Sequence, residues 1–107
     1  MMYEIAREIF KQRVGKKHNF AIMDLSSEGD FGKNELKGSE NLPYSDSFLS
    51  QFKGKYPDKN QNVLLYSLVE GDNNPIDAAK ALQDDGYNFV YFYRGNPEDV
   101  ILDKGLN

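Results

Sequence analysis

A chain of 107 residues, 39% hydrophobic and 13% aromatic, supports one domain with one core and is too short for two. Acidic residues outnumber Lys plus Arg by 17 to 13, for a net charge of -4, and the basic residues form no patch interleaved with aromatics, so no nucleic-acid partner is expected. The absence of cysteine excludes disulfides, thiolate chemistry and cysteine-ligated metals, and no apolar run approaches transmembrane length.

Charge enters too early and too evenly in Met1 to Glu8 for a signal peptide, and a cytoplasmic protein is expected. Ile5, Ala6, Ile9 and Phe10 recur at helical spacing from about Tyr3 to Val14, with Gly15, Lys16 and Lys17 as the stop. A strand is expected over Phe20 to Leu25, followed by the polar loop Ser26 to Gly32 at its carboxyl end, where parallel α/β folds place ligands. After an extended piece at Asn41-Leu42, Ser45 or Asp46 is the expected cap of a helix with Phe48, Leu49 and Phe52 inward and Gly54 as its stop.

Val63 to Ser67 is a continuous apolar run of the kind that forms a fully buried parallel strand. The loop from Leu68 leads to a helix expected to have Asn74 as N-cap, Pro75 at its first position, Asp77 facing the positive end of the dipole and Gly86 as its end. A last strand is expected at Val90 to Tyr93, and Asn96-Pro97-Glu98-Asp99 opens a short helix ending at Gly105. Strands alternating with helices predict an α/β fold with a mainly parallel central sheet and helices on both faces.

The ordered set of these motifs resembles the rhodanese-like (sulfurtransferase) family. Phe20 to Ser26 is similar to that family's second strand with its terminal Asp-x-Arg. Asn34 to Ser39, followed by Asn41-Leu42-Pro43, is similar to the stretch G-H-I-P-G-A with N-I-P. Strand Val63 to Tyr66 with the following loop and helix resembles the segment that presents the active cysteine. Ala78 to Leu82, Gly86-Tyr87, Val90-Tyr91, Gly95 and Gly105-Leu106 then follow the closing pattern in order. The resemblance spans almost the whole chain and implies one small rhodanese-like domain over residues 1–107.

The chemistry-bearing positions depart from that family. Ser67 stands at the cysteine position, Asn73 or Asn74 at the loop arginine, Ser26 at the arginine of Asp-x-Arg, and Glu35 at the histidine of G-H-I-P-G-A. A single Cys-to-Ser change could be a laboratory trap, but the coincident loss of all four groups could not. The degenerate loop is therefore Ser67, Leu68, Val69, Glu70, Gly71, Asp72, Asn73 and Asn74, with Asp24, Ser26 and Glu35 as pocket neighbours. It is longer than the cysteine-to-arginine loop of the sulfurtransferases.

In active relatives the loop N–H groups and the helix dipole lower the cysteine pKa, a role serine cannot take over in persulfide transfer. Glu70 and Asp72 add negative charge, and two like charges about 5 Å apart at an effective dielectric of about 20 repel by roughly 3 kcal/mol. With Ser26 to Asp30 and Glu35 they are expected to form an exposed acidic face for a basic protein partner. Asp72-x-Asn74 resembles part of a calcium loop, but the turn glycine and closing glutamate are missing, and no metal or cofactor is expected. The sequence thus reads as a non-catalytic protein-binding or regulatory module; the competing reading is a hydrolase using Ser67 with Asp24 or Glu35 nearby.

Overall fold

A computed structural model describes residues 2–4, 20–27, 29, 39–68 and 72–94. Five strands, β1 (Met2–Glu4), β2 (Phe20–Asp24), β3 (Ser39–Asn41), β4 (Asn62–Tyr66) and β5 (Phe89–Phe92), form one sheet in the order β1-β5-β4-β2-β3. Every pairing is parallel, and β4 is the central strand, with Asp24 opposite Tyr66 on one side and Val63 opposite Val90 on the other. Two helices, α1 (Phe48–Lys55) and α2 (Asn74–Asp84), complete the described elements of this α/β fold.

The alternation of side chains across the pleat divides the core in two. Ala21, Met23, Leu25, Val63, Leu65, Val90 and Phe92 point to one face, where α1 contributes Phe48 and Phe52 and α2 contributes Ala78, Ala79 and Leu82. The opposite face gathers Ile22, Leu64, Tyr66, Leu68 and Tyr93, with Phe20 and Tyr91 half-buried beside them. Because both faces of β4 are covered, Val63, Leu64, Leu65 and Tyr66 are all fully buried, which explains the unbroken apolar run. The helices expected before Gly15 and after Asn96 lie outside the described residues.

Several boundaries differ from the sequence expectation. Tyr3 and Glu4 belong to β1, not to the first helix: Tyr3 pairs with Tyr91, and their rings stack at 5.5 Å. The cap of α1 is Ser47 in place of Ser45 or Asp46, because those residues form a turn in which Phe48 N–H donates to Ser45 O at 3.0 Å. Gly54 lies inside α1. The helix ends at Tyr56, which precedes Pro57 and is pushed from helical geometry by the proline ring (φ -133°, ψ 75°).

Gly86 does end α2, with φ +98°. Tyr87 N–H donates to Leu82 O and Gly86 N–H to Gln83 O, each at 3.0 Å, the paired bonds of a left-handed helix terminus. Tyr87 then buries its ring against Phe52 and donates its hydroxyl to Tyr56 O at 2.6 Å, tying the end of α2 to the end of α1. Nearby, Tyr56 also donates its hydroxyl to Glu40 of β3, and Lys55 bonds the same carboxylate at 2.9 Å. That hydrogen bond, with Lys55, lowers the Glu40 pKa against the opposing effect of burial. Burial first, and the Glu40 contact second, push Tyr56 up to about 12.

Candidate functional site

Parallel pairing brings the carboxyl ends of β3, β2 and β4 side by side, and the polar residues just beyond them meet there. Ser67 follows the last residue of β4 and is 3% exposed; Ser26 lies two residues beyond β2 and is 4% exposed. Their hydroxyl oxygens are 3.5 Å apart. Ser26 Oγ accepts Leu68 N–H at 2.7 Å, so a side chain from the β2 loop fixes the first peptide of the loop after β4.

Asp72 closes the other end of that loop. Its Oδ2 accepts the Ser67 hydroxyl at 2.8 Å and its Oδ1 accepts Asn74 N–H at 3.0 Å. One carboxylate therefore joins the strand end to the start of α2 and meets the partial positive charge of the helix N-terminus. This corrects two expectations. Asn74 is the first residue of α2 and not its cap, since Asn73 precedes it and Asp72 supplies the side-chain acceptor. Asp72 is half-buried and turned inward, so it is not part of an outward acidic face.

Asp24 and Asn41 hold the neighbouring strand ends. The buried Asp24 accepts Ser26 N–H through Oδ1 at 2.8 Å, while Asn41 Nδ2 donates to the carbonyls of Asp24 and Ser26 at 3.1 and 2.9 Å. Asp24 thus shapes the turn that delivers Ser26, while the carboxylate on Ser67 is that of Asp72. The sequence places Asn41 in an extended piece and in the stretch similar to N-I-P; its bonds to Asp24 and Ser26 depend on the β2–β3 register, which sequence spacing does not disclose. Of the remaining expected site residues, Leu68 is buried and Asn73 exposed, while Val69, Glu70, Gly71 and Glu35 lie outside the described residues.

A parallel sheet whose central strand ends in a short loop at the N-terminus of a helix has counterparts among solved structures. The rhodanese-like domain of the Alr3790 protein from Anabaena sp. superposes with a TM-score of 0.62 at 17% identity, covering 86% of this chain and 84% of that one. The fold is rhodanese-like. A second structure of Alr3790 gives a TM-score of 0.65 at 18% identity, over 83% of this chain and 77% of that one. An uncharacterized protein from Saccharomyces cerevisiae gives 0.74 at 20% identity, over 96% and 93% of the two chains. No protein-family model and no curated protein matches the sequence.

Within this rhodanese-like fold Ser67 occupies the place that the sequence resemblance assigns to the cysteine, and the chain has no cysteine to put there. Its hydroxyl is buried and already donated to a carboxylate. A carboxylate is a weak base for an aliphatic alcohol, so this pair alone makes a poor nucleophile. Among the described residues, no three His, Cys, Asp or Glu side chains gather as a metal site, and no helix is long and apolar enough to cross a membrane.

Proposed function

We propose that this chain is a catalytically inactive rhodanese-like domain of the cytoplasm that serves as a protein-binding or regulatory module. The observation that supports this reading is the Ser67–Asp72 contact: the nucleophile position holds a buried hydroxyl whose proton is directed at Asp72 Oδ2. A sulfurtransferase needs at that place a thiolate favoured by backbone N–H groups and a helix dipole. Here Asp72 takes up the first N–H of α2, and segments 20–27, 39–47 and 62–79 contain no Lys or Arg to attract an anionic donor.

Turnover measurements test it directly. The protein should transfer no sulfur from thiosulfate to cyanide and should hydrolyse neither a phosphate ester nor an activated carboxylic ester. Ser67→Cys alone should leave sulfur transfer absent, because the arginine positions and Asp72 are unchanged by it. Steady turnover of any of these substrates, abolished by Ser67→Ala, would refute the inactive reading and favour a hydrolase or transferase built on Ser67. The binding half of the proposal is checked by affinity capture from the native host, followed by reconstitution with the purified partner.

A further inference from the structure

We propose that Asp72 bars an ionised group from position 67, so that a neutral donor at 67 and a charged acceptor at 72 form an obligatory pair. The inference deepens the inactive-domain reading and rests on it. Ser67 Oγ lies 2.8 Å from Asp72 Oδ2 and is almost wholly removed from water, so solvent screens any charge placed there poorly. The hydroxyl proton satisfies that contact; an anion at the same place would remove the proton and set two negative charges together.

Among the described residues, the neighbouring carboxyl groups add to this repulsion. Asp24 ends β2 opposite Tyr66, adding a buried carboxyl to the strand ends, and Asp77 lies in the first turn of α2. The N–H of Asn74, which would otherwise stabilise an anion, is bonded to Asp72 Oδ1. Loss of the loop's thiolate chemistry therefore involves two residues, with Asp72 as important as the serine. Asp72 acts here as a positioning and charge-excluding residue, through the group at 67.

The chain contains no cysteine, so Ser67→Cys introduces its sole thiol, and the pH profile of its alkylation by iodoacetamide under native conditions reads ionisation at that position. The Ser67→Cys thiol should titrate above the ordinary value of about 8.5. Adding Asp72→Asn should lower it by at least about one unit, making roughly ten times more thiolate at neutral pH. Adding Asp77→Asn instead removes the same charge without the contact and should leave the profile near that of Ser67→Cys. Coincident profiles for Ser67→Cys with and without Asp72→Asn would overturn the proposal, since burial alone would then account for the thiol.

If the thiol variants fold poorly, thermal melts of Ser67→Asp and Ser67→Asn supply the same comparison. Ser67→Asp should melt well below Ser67→Asn when Asp72 is present, with the gap narrowing in an Asp72→Asn background. An equal gap in both backgrounds would overturn the proposal. These readouts involve neither turnover nor a partner. Their failure leaves the binding reading standing, and a protein that binds nothing can still show the coupling.

Discussion

Asp72 contributes at the residue scale through two bonds that solvent cannot replace equally well. Its capping of Asn74 N–H is of a type whose removal costs about 0.5–2 kcal/mol, and the bond from Ser67 adds about 1 kcal/mol. Asp72→Ala should therefore lower stability by about 1–3 kcal/mol in urea unfolding, where an outward-facing loop acid would give almost no change. Ser67→Ala should cost less, and the double change should cost less than the two separate losses added together, because they share one contact. The identity of Ser67 as the residue after the central strand was legible in the sequence, since four apolar residues lead directly into it. The direction of Asp72 was not: composition records its charge, while the inward turn depends on where α2 begins relative to β4. Ser26 was legible as a departure from an arginine, but its bond to Leu68 N–H requires β2 and β4 to be neighbours in register.

Helix ends show the same division at the scale of elements. Gly86 was readable because its left-handed backbone, φ +98°, is one that other residues rarely adopt. Gly54 carries the same letter inside α1, where nothing beyond the adjoining residues and the helix's own backbone stands within 4 Å of an added Cβ. Gly54→Ala should accordingly raise stability by about 0.5–1 kcal/mol, whereas Gly86→Ala should lower it by about 1–2 kcal/mol. Comparison of their urea midpoints tests the observed boundary of α1 against the sequence expectation. The junction of β3 with α1 carries a pH dependence. Glu40 has a depressed pKa, so its contribution is present above the ordinary carboxylate value of 4.5 and is lost as pH falls through the lowered folded value. Tyr56 shifts the other way: its contribution is full below pH 10 and is lost as pH rises through about 12. Glu40→Gln should therefore differ most from the wild type between these limits, and the difference should shrink toward both extremes in urea titrations run across pH.

At the scale of the whole molecule, the parallel sheet was legible because strand-like and helix-like segments alternate and the central strand is apolar on both faces. Its edge was legible only as a place, since Met1 to Tyr3 alone could supply a short strand before the first helix; three residues that continue into a helix-compatible pattern do not disclose the pairing with β5 that makes Met2–Glu4 a strand. Both faces of the sheet depend on β4. Leu64 on one side and Leu65 on the other are completely buried, so Leu64→Ala and Leu65→Ala should each cost about 2–5 kcal/mol and should unfold the two faces together in a single transition. The β1–β5 pairing also sets a timetable for synthesis. Among the described strands, the one synthesised first pairs with the one synthesised last, so Met2–Glu4 lacks its strand partner until Phe89–Phe92 emerges, while Phe20 to Tyr66 can already pair. A nascent chain arrested with Phe89–Phe92 still in the exit tunnel should hold β2, β3 and β4 together yet leave Met2–Glu4 open to protease, and release of those four residues should protect it.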